Sequence, residues 1–222
     1  MLTPTNYTVN TRLFQDACQT SPETWGSKIT INQPTGNFFY DPWELKDEYK
    51  GTVWETIYNS LPVVKGEARI IILGPGQAYQ THADIDDRYH LNIQGDNSYL
   101  INLVQEIMHP LSQDGIWYYM DASFLHTATN FGRNARVQLV IRKLLKKNKL
   151  RNPVNLSITT TLDNLDHARF LFDNTLSPWL NSANKAGFIT DFSYSSPFVK
   201  FTIEQAQFDS LVFALPEKFK IL

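Results

Sequence analysis

Residues 67–95 read "EARIIILGPGQAYQTHADIDDRYHLNIQG". The β-branched run at its start is stopped by Gly-Pro-Gly, the punctuation of a strand that ends in a turn. A second strand pattern, "RYHLNIQG", closes the stretch. Between them lies "YQTHADIDDRYH" (79–90), which gathers two of the chain's five histidines, three acids and an arginine into twelve residues. Such a cluster is either solvated surface or part of a metal site whose remaining ligand lies further along the chain.

Outward from it, "SYLINLVQ", "GIWYYMDA" and "ARVQLVIRKLL" are short, β-branched or aromatic segments separated by Gly, Asn, Asp or Pro. "GDNS" at 95–98 has the composition of a hairpin turn. Short strands at this spacing predict a mainly β, antiparallel sandwich or barrel. Upstream, "KITIN" predicts a short strand. "DPWELKDEYKGTVWETIYNSLP" predicts helix in pieces, with Asp41 as N-cap, Pro42 at the first helical position and Pro62 as the stop. Downstream, the basic run "RKLLKKNKLR" (142–151) reads as a solvated connector, and Pro153 fits a boundary. Residues 1–150 are expected to form the main domain. Residues 151–222 are expected to form a small α+β extension in the order β-α-β-β-α, with a helix broken near Pro178 and a closing helix over "IEQAQFDSLVFAL".

Composition narrows the function. The chain has 222 residues, 42% of them hydrophobic, enough for a sizeable core. A formal net charge of -2 argues against a nucleic-acid binder. The single cysteine, Cys18, excludes an internal disulfide and a cysteine-rich zinc site. The N-terminal segment has no basic start followed by an apolar run, and no stretch approaches the roughly 20 apolar residues of a membrane span, so a soluble cytoplasmic protein is expected.

The chemistry concentrates at three positions. His82 and Asp84 are two apart, which on a strand places an imidazole and a carboxylate on one face. His126, after "YYMDASFL", is the candidate third ligand. Two histidines and a carboxylate hold ferrous iron and leave three coordination positions open, although zinc also accepts such ligands. Asp86 and Asp87 are read as turn caps or solvent-facing. Arg136 lies ten residues after His126, at the start of a strand expected to run beside it, where a guanidinium can clamp a carboxylate bidentately.

The runs "EARIIILGPGQAYQTHAD", "RYHLNI" and "HTATNFGRNARVQLVI" resemble the 2-oxoglutarate- and Fe(II)-dependent oxygenase superfamily, and more narrowly its aspartyl/asparaginyl β-hydroxylase-like branch. The resemblance covers about a third of the chain, residues 67–143. It implies a double-stranded β-helix, a jelly-roll or cupin-like core, with flanking helices. It implies Fe(II) held by His82, Asp84 and His126, with 2-oxoglutarate anchored by Arg136 and contacted by Arg88 and His90. No catalytic side chain is implied beyond the metal ligands. Some members of that branch lack the acidic ligand, which Asp84 supplies here. The implied activity is hydroxylation of an amino acid or of a peptidyl Asp, Asn or Pro residue, using O2 and releasing succinate and CO2. Two other classes compete with it: a zinc hydrolase on the same triad, which has no need of Arg136, and a non-catalytic jelly-roll binding module. Asn130 is read as turn chemistry or a brace for the metal loop, Arg133 as a loop charge, His109 and His167 as structural, and the aromatics Trp117–Tyr119 as core or pocket lining.

Overall fold

In a computed structural model, described for residues 2–20, 28–82, 84, 86–122, 124–145, 153–185, 189–204, 211, 215 and 218–222, the chain divides into two compact units, residues 1–145 and 146–222. The linking segment 146–152 and most of the expected closing helix lie outside the described residues.

The first unit is built from antiparallel strands: β1 (Leu2–Thr8), β2 (Lys28–Thr30), β3 (Asn32–Pro34), β4 (Trp43–Leu45), β5 (Lys65–Leu73), β6 (Arg88–Gln94), β7 (Ser98–Asn102), β8 (Ile107–Pro110), β9 (Ile116–Met120), β10 (His126–Asn130) and β11 (Arg136–Lys143), with helices α1 (Leu13–Gln19) and α2 (Val53–Asn59). A six-stranded sheet has the order β1-β9-β6-β11-β5-β2, and a three-stranded sheet the order β10-β7-β8.

The large sheet owes its two faces to strict alternation. Leu139, Ile141, Ile70, Ile72, Leu91 and Ile93 share one apolar cluster with Phe14, Trp54 and Ile57 of the helices. Apart from Ile71 and Val140, the intervening residues of the same strands are mostly polar: Arg136, Gln138 and Arg142 on β11, Glu67 and Arg69 on β5, His90 and Asn92 on β6. Of these polar residues, all but Arg69 are buried. One face is therefore the hydrophobic core, and the other is a lined polar interior. The Trp117 indole, fully buried on the core face, donates to Ser60 Oγ at 2.9 Å.

Four local expectations change. Residues 95–98 are a corner and not a hairpin turn, because β6 and β7 lie in different sheets. Gly95 there has φ +144° and packs against Arg136, a place where a side chain is strained. Asp41 caps no helix; it accepts from the Asn37 amide at 2.6 Å in a turn ahead of strand β4, and Thr52 caps α2 instead, accepting from the Trp54 amide. Strand β11 does not run beside β10 but pairs with β5 and β6 in the facing sheet. The polar segment β1 carries no strand signal in its sequence, yet pairs with β9.

The second unit contains β12 (Pro153–Thr160), α3 (Leu165–Leu171), a π-turn at Phe172–Leu176, α4 (Ser177–Lys185), β13 (Ile189–Ser195), β14 (Phe198–Glu204) and β15 (Phe219–Ile221). Its sheet has the order β13-β14-β12-β15. The break expected near Pro178 is the π-turn, which admits the proline at the start of α4 without ending the helix. Asn164 caps α3 by accepting from the His167 amide at 3.0 Å.

Candidate metal centre

Strand β5 leaves the large sheet through the Gly-Pro-Gly turn, and the chain crosses to the edge of the small one. Gly76 N donates to Asn130 O at 2.8 Å and Tyr79 N to Ala128 O at 2.9 Å, so residues 76–82 run antiparallel to β10. The pairing ends in a reciprocal bridge: His82 N donates to His126 O at 3.0 Å, and His126 N to His82 O at 2.9 Å. Asp84 lies just past the bridge, outside any strand, its amide tied to Ala122 O at 2.8 Å.

Three side chains converge there. Potential ligand atoms of His82, Asp84 and His126 all lie within 4.8 Å of one another. Each imidazole Nε2 is 3.8 Å from Asp84 Oδ2. The two Nδ1 atoms face backbone carbonyls, His82 to Gln80 O at 2.7 Å and His126 to Phe124 O at 2.8 Å. A neutral imidazole that donates from Nδ1 presents the Nε2 lone pair, the arrangement of a metal-ligating histidine. Burial holds the His126 pKa below its ordinary value, so the ring stays neutral and available. Burial raises the Asp84 pKa, but the charge and hydrogen bonding of Arg88, with the nearby histidines, outweigh it and keep the group a carboxylate.

Behind the triad runs a chain of buried and half-buried ion pairs. Arg88 Nη2 lies 2.9 Å from Asp84 Oδ1 and 2.8 Å from Asp86 Oδ1. Arg142 closes on Asp86 from the other side, and its Nη1 is 4.0 Å from Glu67 Oε2, which pairs in turn with Arg69. Asp86 is therefore neither a turn cap nor solvent-facing: it is 3% exposed and bridges two arginines. The basic run starting at 142 is likewise not wholly solvated, since Arg142 is 5% exposed. Asp87 accepts from the Tyr119 hydroxyl and lies 3.4 Å from Lys143 Nζ.

Arg136 has a different environment. It is 2% exposed, its Nη2 donates to Gln138, and its Nη1 has no hydrogen-bond partner. Among the described residues no carboxylate pairs with it. Burial lowers its pKa to about 10, which leaves it cationic at neutral pH. Both nitrogens of His90 and the Tyr79 hydroxyl are also buried with no hydrogen-bond partner among the described residues. Burial, and then the charge of Arg136, push the His90 pKa down to about 3.

A cavity of about 220 Å³ joins these groups; the triad, Arg88, His90 and Arg136 all line it. Every expected site residue thus borders one space. Sequence reasoning missed Tyr79, Gln138, Arg142, Glu67 and Arg69, which line it too. Asn130 is a brace: fully buried, it donates to Leu73 O and Asn134 O at 2.9 Å and accepts from Ser98 Oγ and Gly132 N at 3.0 Å. Arg133 is exposed, its amide bonded to Asp96.

No curated protein sequence matches the chain. Among solved structures it is similar to a Pseudomonas putida prolyl-4-hydroxylase, with 13% identity over 65% of this chain and 88% of that one, and a TM-score of 0.39. Residues 52–144, which hold the triad, Arg88, His90 and Arg136, match the model of the aspartyl/asparaginyl beta-hydroxylase family, the same family that the sequence resembles at these positions.

Proposed function

We propose that the chain is an Fe(II)- and 2-oxoglutarate-dependent hydroxylase. The observation that carries this reading is the pairing, in one cavity, of a His-Asp-His set with a buried arginine that has no acidic partner among the described residues. A buried, uncompensated guanidinium is costly unless an anion reaches it. A zinc hydrolase on the same triad leaves that cation unexplained.

The donor set fits the metal. Both Nε2 lone pairs and the Asp84 carboxylate turn to one point, and three protein ligands leave positions for a chelating co-substrate and O2. Bound there, Fe(II) and 2-oxoglutarate supply the oxidising power that inserts one oxygen atom of O2 into a C–H bond, releasing succinate and CO2. The protein's own residues orient and exclude. Arg136 holds the far carboxylate with Tyr79 beside it. Arg88 and His90 border the same space, His90 as a neutral imidazole. Leu100, Met120, Ala128 and Val140 line the cavity with apolar surface and keep water from the reacting groups.

We take the first unit to be a double-stranded β-helix. The alternation of consecutive strands between the sheets supports this: β5 in the large one, 76–82 against β10, β6 back in the large one, β7 and β8 in the small one, then β9, β10 and β11 alternating.

The test is anaerobic titration of the Fe(II)-loaded protein with 2-oxoglutarate, watching the visible charge-transfer band of the chelate. A saturable band is expected. Bound metal with no band would discard the co-substrate and favour a hydrolase or an inert barrel.

A further inference from the structure

Gln138 follows Arg136 by two residues on β11, so the two side chains leave the strand on one face, about 6.6 Å apart. Both line the cavity, and Gln138 is 1% exposed. A neutral amide here has no part in holding the metal and none in the apolar core.

Its orientation is fixed by its neighbour. Arg136 Nη2 donates to the Gln138 side chain. A guanidinium can only donate, so the amide oxygen must face it, and the amide nitrogen is the group left over. That nitrogen, Nε2, is buried with no hydrogen-bond partner among the described residues. Arg136 Nη1 and the Tyr79 hydroxyl share this condition, and Tyr79 lines the same cavity. A buried donor without an acceptor carries the cost of its lost hydration. Three of them around one space call for a guest rich in acceptors.

The walls do not supply one. Among the described residues the acids lining the cavity are Glu67 and Asp84, and these pair with Arg69 and Arg88. Lys28, its Nζ 5.1 Å from the centroid of the Tyr79 ring, adds a second cation near that hydroxyl. A carboxylate has two oxygens and about four lone-pair sites. It can accept from Nη1, Nε2 and the tyrosine hydroxyl together.

We propose that Gln138 is a binding residue for the far carboxylate of 2-oxoglutarate, bracing Arg136 with its amide oxygen and donating to the carboxylate from Nε2. This rests on the hydroxylase reading and adds to it a neutral donor beside the cationic clamp. The amide cannot pair with Arg136 as an acid would, so it steadies the guanidinium and leaves its charge for the guest.

The experiment uses the full chain loaded anaerobically with Fe(II) and follows the charge-transfer band. The probes are 2-oxoglutarate and 2-oxopentanoate, which keeps the chelating keto acid and the chain length but ends in a methyl group. Gln138→Met raises the apparent dissociation constant for 2-oxoglutarate about tenfold or more, as expected for loss of a hydrogen bond to a charged group. It leaves that for 2-oxopentanoate where it was. Gln138→Asn keeps an amide but draws it back by one methylene, and the same selective loss is expected; it decides alone if the methionine variant fails to fold. Equal weakening of both probes overturns the proposal, because Gln138 would then act on the chelating end, through His90 or through the fold. Unchanged binding of 2-oxoglutarate overturns it as well. Absence of the band with 2-oxoglutarate in the unaltered protein strikes the hydroxylase reading first, and this proposal falls with it.

Discussion

His82 and His126 hold each other by two reciprocal backbone hydrogen bonds of 3.0 and 2.9 Å, with their rings 4.5 Å apart at the centroids. The bridge is made by main chain, so it survives removal of either ring. His126→Ala is therefore expected to keep the fold and lose the metal. Affinity for a divalent ion should fall by more than the ~10–100-fold that loss of a mere supporting partner costs. Equilibrium dialysis with Zn(II) or Fe(II) reads this directly, and full occupancy in the variant would remove His126 from the ligand set.

Arg136→Met separates a binding role from a structural one. No carboxylate among the described residues pairs with the buried guanidinium, so replacing it with an apolar chain of similar length should leave the ligand-free protein as stable as before, or more stable by about 1–3 kcal/mol. The apparent dissociation constant for 2-oxoglutarate should rise at least tenfold, because a charge-assisted pair is lost. Urea denaturation and co-substrate titration check the two halves. A large loss of stability with unchanged titration would make Arg136 a structural residue.

Arg88→Met should behave in the opposite way. Arg88 lies within 2.9 Å of half-buried Asp84 and 2.8 Å of buried Asp86, so its removal leaves two neighbouring carboxylates with less compensation. Breaking the buried Arg88–Asp86 pair from one side costs up to about 3–5 kcal/mol, less whatever Arg142 still compensates at Asp86. A divalent ion at the triad neutralises Asp84 and should recover part of that loss, so unfolding with and without Zn(II) should differ more in the variant than in the unaltered protein. Equal metal-induced stabilisation in the two would mean that Arg88 does not act on the ligand.

That His82, Asp84, His126 and Arg136 border one cavity was legible because such residue types are rare and their spacing regular. Asp86 and Arg142 were not, because a carboxylate in "DIDD" and an arginine heading a basic run look solvated until a partner is known. Their burial follows from pairing across 56 residues of sequence. One signal for Arg142 was available: in "RVQLVIRK" every second residue from Arg136 is polar or faces the polar side, while Val137, Leu139 and Ile141 alternate with them. A strand buried on both faces with arginines on one of them must line something that pairs with them. The corner at 95–98 was illegible for a different reason. Gly, Asp and Asn permit a hairpin turn and a change of sheet equally, and only the pairing of β7 with β10 decides between them.

His90 makes the stability of the metal-free protein depend on acidity. Burial, then the charge of Arg136 and the neighbouring His126 and Arg88, lower its pKa from 6.5 to about 3. The unfolded chain binds a proton at His90 below about 6.5, and the folded chain does not until about 3. Folding stability from this residue is thus fully present above pH 6.5 and is lost progressively as the pH falls toward 3, by at most about 1.4 kcal/mol per pH unit. Asp84 and Glu67, whose folded pKa values are lowered, also lose stability in acid, but they do so with or without His90. The informative quantity is therefore the difference between the unaltered protein and His90→Gln, measured by denaturation between pH 7.5 and pH 5, a window set by the ~6.5 histidine value. That difference should be flat above about pH 6.5 and shrink below it. Two parallel curves would mean that the imidazole finds a proton acceptor in the folded cavity and that its two ring nitrogens are not orphaned.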